Sequence, residues 1–200
     1  MDTDDHRICF VGDSFVQGTC DPQCRGWPGR IAADARKHGF NVTPYNLGVR
    51  GDTSHEIAVR WHLECAIRLP ENVKRYVVFS LGVNDVAHKD GVCRVSEEDS
   101  MKSFKTIISQ ASSLYQIAVI GPPPVADNAS NRRISHLSQL FEAAAQHVYV
   151  PYLPVFNTLL ADAVWMSQVQ SNDGSHPGAE GYDALAKLII AWPSWWFHHA

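Results

Sequence analysis

Four near-continuous apolar runs punctuate the chain: ICFV at 8–11, YVVFSL at 76–81, QIAVI at 116–120 and VYVPYL at 148–153. None alternates apolar with polar residues, which marks strands covered on both faces, as in a parallel sheet between layers of helices. A fifth segment, NVTPYNL at 41–47, alternates more and contains Pro44. Proline has no N–H for a ladder, so this strand belongs at a sheet edge, and Pro151 argues the same for the last run. Helical periodicity fills the gaps. Thr53 and Glu56 have the spacing of a capping box ahead of Ile57, Trp61, Cys65 and Leu69 on one face. Ser96 can cap a helix whose stripe is Met101, Phe104, Ile107, Ile108 and Ala111, and the next stripe joins Ile134, Leu137, Phe141, Ala144 and Ala145. A weaker helix runs from Trp27 through Ile31 and Ala35 to a stop at Gly39. The last begins near Pro177 and carries Tyr182, Leu185, Ala186, Ile189 and Ile190.

Strands alternating with helices imply right-handed βαβ units and an α/β fold of three layers, α/β/α, around a doubly wound five-stranded parallel sheet. A proline in each edge strand suits the strand order 2-1-3-4-5, with the first strand in the interior. Ligands of such sheets bind beyond the carboxyl ends of the strands. The residues just after each apolar run are therefore where chemistry is to be sought.

Composition narrows the classes. The 200 residues, 45% of them apolar, fit one domain over 1–200, with short tails at 1–6 and 193–200. A net charge of -4 argues against a general affinity for nucleic acid or anionic membrane. The opening MDTDDHR is acidic and lacks the basic start and the roughly 7–15 apolar residues of a secretory signal. No stretch is long enough to span a bilayer, so the expected location is the cytoplasm, with no stable membrane insertion. The tail AWPSWWFHHA is aromatic but short, and the expectation is a segment packed on the surface. Five cysteines, an odd and sparse set, fit reduced thiols. Cys20 and Cys24 form a C-x3-C pair, open to a metal or to a local disulfide in an oxidising medium, but no second cysteine pair or nearby histidine completes a metal site.

The strand ends carry VGDSFVQG (11–18), NLGVRGDTS (46–54), LGVNDVA (81–87) and IGPPPVADN (120–128), and NDGSHP precedes the last helix. Taken singly, each polar residue has a bland reading. Ser14 fits a tight turn, Asn84 a loop, and Asp173 with Pro177 a helix start. Asp13 and Asp85 read as caps or turn formers that support their neighbours. Taken together, an acid, a histidine and a serine at the mouth of one sheet form a set able to activate a hydroxyl nucleophile.

GDSF, the glycine of GVRGDTS, the asparagine of GVND and DGSHP resemble the four blocks of the GDSL or SGNH hydrolases, in the family's order and over residues 11–177. The one departure is Phe15 where leucine is usual, an apolar exchange outside the chemistry. The resemblance implies a flavodoxin-like fold and a serine hydrolase that cleaves carboxylic esters. Ser14 would be the nucleophile, His176 the base and then the acid, and Asp173 the group that orients the imidazole. The oxyanion hole would come from the N–H of Ser14, the N–H of Gly51 and the side-chain amide of Asn84. Gly51 is preferred to Gly48 because it precedes DTS, which leaves Gly48 to the turn out of the strand.

No cofactor and no metal is implied. The other nine histidines, His55, His62 and His88 among them, form no ligand motif and read as surface or helix residues. No G-x-G-x-x-G follows a strand, and GDTS lacks the lysine of a phosphate loop. The implied partner is a small-molecule ester. Family members act on aryl esters, thioesters, lysophospholipids and acetylated sugars, so thioesterase and lysophospholipase remain alternatives, as does a binding module without turnover. The segments 85–99 and 121–133 are expected to line the pocket. Neither holds a long apolar helix of the kind that covers a fatty chain, which favours short acyl or acetyl esters.

Overall fold

The computed structural model describes residues 4–89 and 91–197. Its elements are β1 (His6–Gly12), α1 (Ser14–Gln17), α2 (Gly26–Lys37), β2 (Val42–Gly48), α3 (Ser54–Ala66), β3 (Lys74–Ser80), β4 (His88–Lys89), β5 (Val92–Cys93), α4 (Glu97–Ser112), β6 (Gln116–Ile120), α5 (Asn128–His147), β7 (Tyr152–Leu153), α6 (Phe156–Leu160), α7 (Ala163–Ser171) and α8 (Ala179–Ile190). The main sheet runs β2-β1-β3-β6-β7, every pair parallel. Counted over its own five strands this is the order 2-1-3-4-5; an antiparallel hairpin, β4 with β5, interrupts the numbering. Pro44 lies in the edge strand β2 opposite Ile8, where its missing N–H costs no ladder bond on the open side.

The apolar runs do what continuous burial requires. Ile8 through Val11, Val77 through Phe79 and Ala118 through Ile120 are at most 1% exposed, with helices on both faces. The α3 capping box forms as expected: Thr53 Oγ1 accepts from Glu56 N, and the Glu56 carboxylate accepts from Thr53 N at 2.7 Å. Ile57, Trp61 and Cys65 then point inward.

Four expectations need correction. The run at 148–153 supplies only two strand residues, because α5 extends to His147 and its C-terminal turn consumes the next three residues. Val150 N donates back to Ala145 O, and Tyr149 sits in a left-handed conformation, 94% exposed. The helices α6 and α7, between β7 and NDGSHP, have no counterpart in the sequence reading. His6 belongs neither to a tail nor to the surface. It opens β1, is 7% exposed, and stacks on Tyr76 with its Nδ1 3.1 Å from the Tyr76 hydroxyl. The aromatic tail is core as well: Trp195 and Phe197 are each 2% exposed, and Phe197 packs edge-on against His6, Phe40 and Tyr76. All five cysteines are free thiols, and no helix among the described residues is long and apolar enough to cross a membrane.

Candidate active site

β1 ends at Gly12, and Asp13 caps the single turn of α1 by accepting from Phe15 N at 2.9 Å. Ser14 is thereby the first residue of a four-residue helix directly beyond an interior strand, 4% exposed. Gly48 ends β2 beside this helix; it is a strand residue, not a turn residue. A Cβ there would overlap Gln17 N and come within 2.8 Å of Asp13 O, so its lack of a side chain lets β2 approach α1. Gly51 has the conformational role instead, with φ of 86° in the loop that follows.

That loop is held by arginines. Arg60 of α3 donates to Gly12 O at 2.8 Å, Leu47 O at 3.0 Å and Asp52 Oδ2 at 2.6 Å, joining the ends of β1 and β2 to the loop. Arg94 donates to Gly51 O at 2.8 Å. Asn84, beyond β3, donates through Nδ2 to Asp52 O at 2.9 Å and to Asp13 Oδ2 at 3.2 Å. One amide thus ties the neighbour of Gly51 to the neighbour of Ser14. Asp85 accepts from Ser54 N at 2.7 Å, locking the start of α3 to the end of β3. Asp13 acts as a cap of its own helix, whereas Asp85 holds the start of α3 from across the chain. Among the described residues, the backbone N–H groups of Ser14 and Gly51 have no acceptor.

The turn NDGSHP completes the arrangement. Asp173 Oδ1 accepts from Ser175 N at 3.0 Å and His176 N at 2.9 Å, while Oδ2 lies 2.7 Å from His176 Nδ1. His176 Nε2 lies 2.7 Å from Ser14 Oγ. The proline-rich segment braces the turn, since Ala126 N donates to Gly174 O at 2.9 Å. Asp173 does not cap α8: Gly178 is the N-cap, and Gln168 Oε1 accepts from Gly178 N and Gly181 N at 2.9 and 2.8 Å. The acid serves its own turn and the imidazole.

Electrostatics fix the proton positions. Burial pulls the Asp173 carboxyl upward, but the hydrogen bonds from His176 and Ser175 together outweigh it and hold the group at about 2. An ionised carboxylate only accepts, so Nδ1 carries the ring proton and Nε2 is left to accept from the Ser14 hydroxyl. Burial pushes His176 below the ordinary imidazole value despite Asp173, and Arg50, 3.9 Å from Asp173 Oδ2, adds to the lowering. Phe15 is not remote from these groups, as its ring centroid lies 4.7 Å from that of His176. Burial pushes the Asp13 carboxyl up to about 7, helped by the nearby Asp85 and Asp52 charges and opposed by the bond from Phe15 N.

The structure therefore brings Ser14, His176 and Asp173 into one hydrogen-bonded line, with Asn84 and the Gly51 loop alongside. The bonds by which Arg60, Arg94 and Gln168 organise the surroundings carry no local signal in the sequence, because their partners are backbone atoms or lie beyond the next turn of the chain. Both segments expected to line the pocket, 85–99 and 121–133, come together in the structure. They share a recess of about 300 Å³ formed by Val86, Cys93, Val95, Arg133 and Leu137, among others, none of them in the Ser14 line. Residues 121–125 are buried instead, and Pro124 O accepts from the Trp165 indole at 3.1 Å.

Comparison with known proteins shows the family and the fold. The family model of the GDSL-like lipase/acylhydrolase family matches residues 10–184. An arylesterase from Vibrio mimicus is 23% identical over 184 residues, covering 92% of this chain and 86% of the relative. A lipase/acylhydrolase from Enterococcus faecalis superposes with a TM-score of 0.75 at 22% identity, over 92% of this chain and 93% of the other. An acetylxylan esterase from Geobacillus stearothermophilus does so at 0.78 and 14% identity, over 98% and 97%. At such identities the two structures bear on the fold alone.

Proposed function

Because this chain belongs to the GDSL-like lipase/acylhydrolase family and is an ester-hydrolysing enzyme, we propose that it cleaves short-chain acyl or acetyl esters through an acyl-enzyme on Ser14. The observation that carries this reading is the unbroken line Ser14 Oγ, His176 Nε2, His176 Nδ1, Asp173 Oδ2, with 2.7 Å at each hydrogen bond.

In the first half-reaction the Ser14 oxygen attacks the ester carbonyl while Nε2 takes its proton. The imidazolium so formed is stabilised by Asp173 and then protonates the leaving alkoxide. Water repeats the sequence against the acyl-enzyme. The negative charge on the carbonyl oxygen is met by the N–H groups of Ser14 and Gly51 and by Nδ2 of Asn84. Both Asn84 protons are engaged in the resting enzyme, so one bond is given up as the oxyanion forms. The 3.2 Å bond to Asp13 is the longer of the two and is the one that yields.

The short acyl preference rests on the segments 85–99 and 121–133, which carry no long apolar helix of the kind that covers a fatty chain. Recesses of about 540 and 670 Å³, large enough for a longer chain, are bounded by α2 with α8 and by α3 with α4, away from Ser14. Free thiols throughout suit a reducing compartment such as the cytoplasm, with the chain acting as one catalytic domain.

The test is a panel of p-nitrophenyl esters and thioesters of graded chain length, run beside Ser14→Ala. Turnover is expected to be highest with acetyl and other short acyl groups. Ser14→Ala is expected to lose essentially all turnover and all labelling by a fluorophosphonate. Labelling retained in that variant would move the nucleophile elsewhere.

A further inference from the structure

The thiol of Cys20 lies against the acid of the Ser14 line, although 153 residues separate the two in sequence. Cys20 Sγ is 3.7 Å from Asp173 Oδ2, and one donor atom from each of Cys20, Asp173 and His176 lies within 4.8 Å of the others. We propose that a thiophilic divalent cation, zinc, binds Cys20 Sγ, Asp173 Oδ2 and His176 Nδ1, and that its binding switches the hydrolase off.

The donor set is the first support. Thiolate, imidazole and carboxylate together select zinc over the hard cations, which prefer oxygen alone. The second is spacing. Bond lengths of about 2.3 Å to sulfur and about 2.0–2.2 Å to nitrogen and oxygen put the donors of a tetrahedral zinc roughly 3.2–3.7 Å apart. The sulfur and the carboxylate oxygen already stand at 3.7 Å. The pair at 2.7 Å, Asp173 Oδ2 and His176 Nδ1, has to open by only about half an ångström. Access is the third, since Cys20 and Asp173 are exposed and leave the fourth position to water. Arg50, the neighbouring cation, has a side chain 70% exposed and is free to turn into solvent.

The proton balance explains the loss of activity. Cys20 releases its thiol proton to solvent as the sulfur–zinc bond forms. The neutral ring has one proton, which leaves Nδ1 for Nε2 when the Nδ1 lone pair goes to zinc. Nε2–H then faces Ser14 Oγ with no lone pair for the hydroxyl proton, and the nucleophile stays protonated.

The inhibition rests on the esterase reading above; the metal site itself does not. Zinc sulfate is titrated into EDTA-treated wild type and Cys20→Ser, each rate normalised to that variant's own metal-free rate. In parallel, cobalt(II) is added to Ser14→Ala and to Ser14→Ala/Cys20→Ser, and the thiolate-to-cobalt absorption band is followed. Wild type is expected to lose activity at micromolar zinc and to regain it with EDTA. Loss of an outer-sphere partner costs metal sites about 10–100-fold, so loss of the thiolate should raise the half-inhibiting zinc concentration at least that much. The cobalt band should appear in Ser14→Ala and vanish in the double variant. Equal inhibition in wild type and Cys20→Ser, or none in wild type, overturns the proposal. If the metal-free wild type hydrolyses no ester, the esterase reading fails by itself, and the cobalt band alone decides whether the site exists.

Discussion

Burial disfavours the imidazolium of His176, while Asp173 favours it, and the balance lies below the ordinary value. Only the neutral ring accepts the Ser14 proton, so kcat/KM should rise with pH through the His176 ionisation below about 6.5, ahead of the Asp13 carboxyl near 7. Removing the Asp173 charge takes away the two influences that raise the ring's value, and in Asp173→Asn the ionisation should move lower still. The same variant should cost about 10⁴ in rate, because an amide can hold the wrong tautomer. Were Asp173 only a helix cap, asparagine would replace it with a loss of a few tenths of a kcal/mol and nearly full turnover. The N-cap at Gly178 already argues against that. The pH–rate profiles, taken in EDTA, and the melting curves of both proteins separate the cases, and an active Asp173→Asn enzyme would return the acid to a structural role. If the Asn84 amide turns to the oxyanion as proposed, Asn84→Ala should lower kcat about 10²–10³-fold with little change in KM, because that charge exists only in the transition state. Steady-state kinetics check this; a rise in KM with kcat intact would make Asn84 a substrate-binding residue. At this scale the four motif segments were legible because each is local. The role of Phe15 was not, because its contact with His176 spans the chain.

At the scale of elements, the strand ends hold the reacting groups together. Gly48 is where β2 and α1 meet most closely, so Gly48→Ala must push the edge strand or the Ser14 helix aside. Overpacking of this kind costs about 1–3 kcal/mol, and a displaced nucleophile costs rate as well. Gly48→Ala should therefore melt earlier and also lose kcat when assayed well below its melting temperature. A variant that melts earlier but keeps full kcat would show that β2 yields and α1 does not. β1, β3 and β6 were readable because strands buried on both faces write unbroken apolar runs, α3 and α4 because their caps and stripes coincide, and α5 from its stripe. The last strand was over-read because its apolar residues are shared with the end of α5, where Val150 is buried by the turn and not by the sheet. α6 and α7 were missed for the opposite reason. Asp162 caps α7 by accepting from Trp165 N at 2.8 Å, but few residues of these short helices are buried, too few for a stripe. The brace from Ala126 to Gly174 and the grip of Arg60 on Gly12 and Leu47 are long-range, and local periodicity is blind to them.

Across the whole molecule the two ends of the sheet do different work. Ser14, Gly51 and Asn84 follow the carboxyl ends of β1, β2 and β3. The amino ends are closed by His6, Phe40, Tyr76 and the aromatic tail, where Phe197 lies 5.3–5.4 Å, centroid to centroid, from each of the other three rings. The family match covers residues 10–184, so Phe40 and Tyr76 lie within it while His6 and Phe197 lie outside it. A tail merely draped on the surface would contribute little, and Phe197→Ala would then change stability by at most about 0.5 kcal/mol. A core aromatic truncated to alanine costs about 3–5 kcal/mol. In a chain of this size each kcal/mol moves the midpoint by about 2–4 °C, so Phe197→Ala should melt roughly 6–20 °C below wild type. Its kcat at a temperature where both are folded should be unchanged, because the site lies at the far end of the strands. Melting followed by circular dichroism, with ester turnover measured below both transitions, checks the two halves of this expectation. A full loss of turnover with little change in melting would mean that the aromatic end communicates with the serine, and that the two ends of the sheet do not act separately.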